Sequence, residues 1–150
     1  MSFVATAPAQ PLPDLPHHPF WPAINPNECR DVMQLDGTVT NQRLTHALIE
    51  AIVYVNSELK GWRLECEANG CTKLDDVPDE DPERLIHLYR RAVFEQAAAD
   101  LMERYARFDA TGEAQSRAEQ QAPVIENHRR NAFWAVRDIL GQARSNMELL

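Results

Sequence analysis

Three long segments of this chain repeat apolar residues at intervals of three and four, and this repeat restricts the possible folds more than any other sequence feature. The first segment follows Thr40, whose side chain favours the N-terminal cap of a helix, and ends near Gly70. The second opens at Asp81 and Pro82, and the third ends before Gly141, a residue type that commonly terminates helices. Because an α-helix has about 3.6 residues per turn, the pattern predicts helices near residues 41–69, 82–107 and 124–140.

A fourth, shorter helix is predicted from Asn25 to about Leu35. Asn25 suits the N-cap and Pro26 suits the first helical position. No segment shows the sustained alternation of a β-strand, so we expect an all-α fold, a small helical bundle with three long helices plus this short N-terminal one. Two alternatives remain for Pro123, which either starts the last long helix or kinks an earlier turn within residues 114–121.

The apolar stripes of the long helices also predict the core. Residues expected to face it are Leu48, Ile52, Val55, Leu88, Ala92, Phe133 and Val136. The substitution Phe133→Ala is therefore expected to cost roughly 3 to 5 kcal/mol. Ile49 and Val53 lie off the main stripe of their helix, so this helix is either buried on two sides or contacts a neighbouring subunit.

Both ends of the chain are predicted to extend from the bundle. Seven of the ten prolines lie within residues 8–26, and proline excludes helix and central strand there. We expect an extended Pro-rich N-terminal arm over residues 1–24, a helical bundle domain over residues 25–141 and an extended C-terminal tail over residues 142–150. Phe20, Trp21 and Ile24 form an apolar cluster that should fix the arm to the core.

The charge is unevenly distributed along the chain. The net charge is -8, and residues 1–83 hold 5 basic and 14 acidic residues, whereas residues 84–150 hold 10 and 9. Such a balance argues against tight nonspecific DNA binding, which depends on Lys and Arg contacts to phosphate. Arginines of the second half could pair with acids of another subunit, although a solvated helix face is an equally good interpretation. These inter-subunit candidates are Arg90, Arg91, Arg104, Arg107, Arg130 and Arg137.

The sequence contains little that predicts an enzyme. None of the common nucleotide-binding, zinc-protease or serine-hydrolase motifs is present. His46, His87 and His128 fall on three separate predicted helices and are expected at their surfaces. Cys66 and Cys71 lack the further ligands of a zinc site, and the acids of the connector before Pro82 are expected to be solvated. We expect no catalytic residue, no metal and no cofactor.

Several short segments of the sequence resemble those of a known protein family. They are FWPAINP, DGTVTNQRLTHALIEAIVYVNSEL, LDDVP, LYRRAV, ERYARFDATG and WAVRDILG, between Phe20 and the C-terminal part of the chain. Together they resemble the phage head completion (GPL) family of P2-like contractile-tailed phages. The connector departs from the family pattern where DEDPERL replaces a more usual Gly-containing stretch, and the arm looks variable. Neither departure affects the predicted helices.

The resemblance implies a head-to-tail connector adaptor that binds the portal vertex after DNA packaging, stabilises the filled head and prepares it for tail joining. The implied partners are the portal protein, a tail terminator or neck protein, and further copies of the chain in a ring, dodecameric in related adaptors. Encapsidated DNA would be contacted only indirectly. The implied location is the virion neck, after assembly in the host cytoplasm. A DNA-packaging accessory and a generic helical protein-interaction adaptor are the alternatives.

The end of the sequence is the predicted portal contact. By analogy with connector adaptors whose C-terminal segments reach toward the portal, this role is given to Arg144, Met147, Glu148, Leu149 and Leu150. A tail gains nothing from exposing three large apolar side chains to water, which favours docking on a partner; packing on the protein's own bundle is the alternative. No membrane contact is expected, because apolar stretches such as 51–55 are far shorter than a bilayer span.

Overall fold

The computed structural model describes residues 11–108 and 112–142, and within them the only regular elements are helical. The four α-helices are α1 (Pro26–Val32), α2 (Asn41–Ala68), α3 (Pro82–Phe108) and α4 (Gly112–Ile139), with a single 3-10 turn at Leu74–Asp76 between α2 and α3. The prediction of an all-α fold with three long helices and one short one is confirmed.

The helix ends follow from local side chains. The Asn25 side chain accepts hydrogen bonds from the backbone N–H groups of Asn27 and Glu28 at 2.8 and 3.3 Å, and Thr40 caps α2 in the same way. Helix α1 ends at Val32, before the predicted end near Leu35. Gln34 adopts a left-handed φ of 53°, and the N–H groups of Gln34 and Leu35 bond the last turn.

Helix α4 is longer than predicted at its N-terminal end. It begins at Gly112 and continues through Pro123, so the interpretation that Pro123 starts the helix is wrong. Proline removes the hydrogen bond that residue 123 would donate to the carbonyl of Glu119. Because Glu119 and Pro123 are both exposed, that carbonyl faces water, and the missing bond does not leave a buried polar group.

Helix α3 lies at the centre of the bundle. It packs extensively against α4 and α2, whereas α2 and α4 touch at few points. Six of the seven predicted core residues are buried: Leu48, Ile52, Val55, Leu88, Ala92 and Val136. The seventh prediction is wrong, because Phe133 is 51% exposed. Ala132, Ala135, Val136 and Ile139 form the buried line of α4, and Phe133 lies on its flank, where α2 is too distant to cover it.

The end of the N-terminal arm packs into the core, as predicted from its apolar cluster. Phe20, Trp21 and Ile24 are all buried. The Trp21 ring stacks on Tyr89 of α3, with centroids 4.6 Å apart, and on Trp62 of α2 at 6.1 Å. The carbonyl of Phe20 also accepts a hydrogen bond from the Leu74 N–H at 2.9 Å. The arm therefore joins α2, α3 and the connector between them.

Candidate interaction surfaces

A polar seam fixes the register of the α3–α4 pair. Glu95 of α3 contacts His128 of α4 and accepts a hydrogen bond from the Asn131 side chain at 3.4 Å. The next residue of α4, Arg129, pairs with Asp100 at 3.4 Å and with Glu103, which lie further along α3. These pairs make the two helices antiparallel, with residues 128–131 opposite Glu95. Arg129 is thus engaged within its own chain.

A groove of about 560 Å³, here called the α1–α3 groove, lies between α1 and the N-terminal half of α3. Its lining residues are Glu28, Val32, Met33, Glu83, Ile86, His87, Arg90, Arg91, Phe94 and Glu95. Two of the six arginine candidates, Arg90 and Arg91, therefore meet here. Arg90 Nη1 lies 4.0 Å from Glu28 Oε1, while the buried Arg90 Nε has no hydrogen-bond partner. Val32 is 61% exposed, so the groove offers apolar surface beside charge.

A second surface, here called the aromatic patch, consists of Tyr54 on α2 with Arg130, Phe133, Trp134 and Arg137 on α4. Most of these residues line a hollow of about 530 Å³ between the two helices. The Arg137 guanidinium lies over the rings of Phe133 and Trp134, 5.2 and 5.9 Å from their centroids. Arginine over exposed aromatic rings is a combination enriched at protein interfaces. Arg130 and Arg137 are thus brought together.

The remaining arginine candidates lie elsewhere. Arg104 is exposed and lines a hollow of about 290 Å³ with Arg43 and Tyr105 at the opposite end of α3 from the groove. Arg107 lies in the last turn of α3, but its side chain is outside the described residues. The six arginines therefore do not form one continuous basic face. All five predicted tail residues, Arg144, Met147, Glu148, Leu149 and Leu150, lie outside the described residues as well.

The outer side of α2 carries apolar side chains that residues 11–108 and 112–142 leave exposed. Ile49 is 44% exposed, Val53 63% and Leu64 49%. Burial of α2 on two sides within one subunit is therefore wrong for Ile49 and Val53. Contact with a neighbouring subunit stays a prediction.

The histidines and cysteines are dispersed. His46 and His87 are exposed, and the ring of His128 contacts the Glu95 carboxylate. In the part of the chain that the structure describes, no group of three or more His, Cys, Asp or Glu residues is placed to hold a metal ion. The three cysteines are free thiols, and burial raises the pKa of Cys29 to about 12. A thiol with so high a pKa stays protonated and is a poor nucleophile or ligand at neutral pH.

One connector carboxylate has a local structural role. Asp76 accepts hydrogen bonds from the hydroxyl and N–H of Thr72 at 2.7 and 3.0 Å and from the N–H of Lys73. These bonds, chiefly that from the Thr72 hydroxyl, lower the pKa of Asp76. The connector acids are exposed, as expected from the sequence, and Asp76 shapes the turn through these bonds.

Sequence reasoning missed Tyr54, Trp134 and Glu95. Tyr54 and Trp134 lie off the apolar stripes, as do Ile49 and Val53, and a search for large side chains on a predicted polar flank would have found them. The role of Glu95 could not be predicted from the sequence, because its partners His128 and Asn131 are more than thirty residues away. Pairing between helices depends on their register, which a single-helix pattern does not contain.

Comparison with known proteins gives two matches. The model of the phage head completion protein (GPL) family matches residues 15–150. The chain is 35% identical over 144 residues to the head completion/stabilization protein of Escherichia phage P2, covering 94% of this chain and 85% of that protein. No solved structure gives a significant match. Among the described residues, no helix combines the length and the apolar character needed to span a membrane.

Proposed function

The chain belongs to the phage head completion protein (GPL) family, and from this membership we propose that it is a head-to-tail connector adaptor that binds the portal vertex of a DNA-filled head. In this role it stabilises the filled head, prepares it for tail joining and catalyses no reaction. The proposal places it in the neck of the virion after assembly in the host cytoplasm. Its partners are the portal protein, a tail terminator or neck protein and further copies of itself.

The observation that carries the proposal is the extent of the family match. It runs from residue 15, in the anchored arm, through the whole bundle to residue 150. The same span contains two surfaces with the chemistry of protein contacts, the α1–α3 groove and the aromatic patch. A chain of net charge -8 fits protein partners better than DNA, so contact with packaged DNA is indirect.

The first experiment tests head stabilisation. DNA-filled heads that contain portal but lack this protein are incubated with the purified chain and then with a nuclease. We expect protection of the packaged genome to rise with protein concentration and to saturate. Filled heads whose portal is already occupied by the adaptor serve as the control. Unchanged nuclease sensitivity at saturating protein would contradict the proposal.

The second experiment tests the tail as the portal anchor. Deletion of residues 147–150 should abolish attachment to portal-containing heads and leave the circular-dichroism signal of the helices unchanged. The matched control is Ser145→Ala, which alters the same tail but keeps Met147, Leu149 and Leu150. If the truncated chain cosediments with heads at full affinity, the tail is not the anchor.

The third experiment concerns the ring. Like-charged subunits repel one another, so we expect a monomer or weak associations in dilute solution and a ring, dodecameric by analogy, on the portal. Native mass spectrometry with and without portal measures both states. Charge reversal of Arg130 or Arg137 should reduce ring occupancy if the aromatic patch is an inter-subunit contact. A stable ring without portal would refute the proposal that the portal templates the ring.

A further inference from the structure

The C-terminal end of α4 lies at the same level along α3 as the Glu83 end of the α1–α3 groove. Residue Asn131 is opposite Glu95, and the two helices are antiparallel. Eleven residues beyond Asn131, at about 1.5 Å per residue, Gln142 falls opposite Arg84, at the end of the groove marked by Glu83. Glu95, at the far end of the groove, also contacts His128 of α4.

The backbone turns at this point. Gly141 has a φ of 71°, its N–H bonds the Asp138 carbonyl at 3.2 Å, and the Gln142 N–H bonds the Arg137 carbonyl at 3.0 Å. This pair of bonds is the Schellman motif, which ends a helix and redirects the chain away from its axis. The chain therefore leaves the axis of α4 at Gln142.

The length of the remaining segment matches the groove. Eight extended residues reach at most about 26 Å, whereas the α3 stretch from Glu83 to Glu95 that lines the groove is about 18 Å long. The segment can therefore cover the whole groove.

The chemistry matches in order as well as in kind. Along the tail a basic residue, Arg144, comes first and an acidic one, Glu148, comes later. Along the groove, starting from the end where the chain leaves α4, the acid Glu83 comes first and the bases Arg90 and Arg91 follow. Glu28 and Glu95 are the other acids of the groove. Glu28 lies near Arg90, and Glu95 contacts His128 and Asn131 of α4.

Apolar surface is complementary too. The tail supplies Met147, Leu149 and Leu150, while the groove supplies the exposed Val32 together with the half-buried Met33 and Ile86. The unpartnered Nε of Arg90 adds a donor within the groove. A mixed lining of this sort suits an amphipathic peptide better than a purely apolar ligand.

We propose that in the free protein the α1–α3 groove holds the C-terminal segment 143–150 of the same chain. Docking in cis covers three large apolar side chains that would otherwise face water. This proposal concerns the isolated chain and is independent of the proposal that the tail binds the portal. If the tail is also the portal anchor, docking keeps it sheltered until a partner with higher affinity displaces it.

The test is site-specific photo-crosslinking of the full chain. With p-benzoylphenylalanine in place of Leu149, irradiation of dilute protein should join position 149 to the groove peptide that contains Phe94, which follows Arg91 along the groove. Mixing normal and heavy-isotope copies before irradiation identifies the donor, and we expect crosslinks within one copy only. Mixed-mass crosslinks would assign the groove to a second copy's tail, and crosslinks to the aromatic patch or none at all would equally overturn the proposal.

A charge swap provides a second readout that does not depend on folding. Arg91→Glu should lower the groove crosslink yield about three- to fivefold, because it replaces an attraction for Glu148 by a repulsion. Adding Glu148→Arg to that variant should restore the yield. The matched control is Arg104→Glu, an exposed arginine of the same helix at its opposite end, which should change nothing. A loss that Glu148→Arg does not reverse, or no loss in Arg91→Glu, would overturn the proposal.

Discussion

The dipeptide Phe-Trp occurs twice in this chain, and the two phenylalanines have opposite environments. Phe20 and Trp21, in the arm, are 1% and 2% exposed, whereas Phe133 in α4 is 51% exposed. The first pair lies in a segment without regular structure and the second in a long helix. Regular local structure alone therefore does not decide which aromatic side chains are buried.

The difference lies in what covers each pair. Trp21 is stacked on Tyr89 of α3 and on Trp62 of α2, and both partners are distant from it in sequence. Phe133 has its neighbour Trp134 at 5.3 Å and the Arg137 guanidinium over its ring, all on one helix. The arm thus completes the core, whereas about half of the Phe133 side chain faces water. Exposed aromatic side chains with arginine are typical of protein interfaces.

The largest expected effect is on the buried pair. Trp21→Ala should lower the free energy of unfolding by about 3 to 5 kcal/mol, because it removes a fully buried side chain and leaves a cavity between three elements. Urea denaturation followed by circular dichroism measures the loss. A cost near that of a surface substitution would show that the arm is not part of the core.

The next effect concerns how the arm is held. The Asn25 side chain caps α1 and also donates to the Leu12 carbonyl at 3.3 Å and to Asp14 Oδ1 at 2.9 Å. Asn25→Ala should therefore cost about 1 to 2 kcal/mol, at the upper end for an N-cap. Asn25→Asp keeps the acceptor for the cap but loses the donor to the arm, so it separates the two contributions. Equal losses in both variants would assign the whole effect to the arm bonds.

The third effect is a pH dependence of the same region. Burial raises the pKa of Cys29 from its ordinary value of 9.0 to about 12. Between these values the unfolded chain loses the thiol proton and the folded chain keeps it, so stability falls as pH rises above 9. We expect a loss of about 1 kcal/mol between pH 9 and 10. Cys29→Ala should lose less over the same interval; an identical slope would contradict the assignment.

The smallest effect is expected at the exposed pair. Phe133→Ala should cost about 1 kcal/mol or less, because roughly half of the side chain is already in water. Phe20→Ala in the same denaturation series is the matched comparison and should cost several times more. A loss of 3 kcal/mol or more in Phe133→Ala would mean that Phe133 is covered in solution, and would remove the contrast between the two pairs.

The sequence by itself determined the parts of the structure that depend on neighbouring residues. The spacing of Leu48, Ile52 and Val55 established a buried helix face, and Asn25 and Thr40 indicated two of the helix starts. Periodicity and capping involve residues within one or two turns, so they can be found in the chain itself. The phrases that resemble the head completion family are also local.

Only the tertiary structure decided which flank of each helix is covered. The same periodicity that placed Val136 in the core also suggested Phe133, and the absence of close contact between α2 and α4 left Phe133 exposed. The packing of the bundle likewise placed Glu95 against His128 and Asn131, and Trp21 against Tyr89 and Trp62. Coverage of a flank depends on elements distant in sequence and on their register, and the pattern of a single helix contains neither.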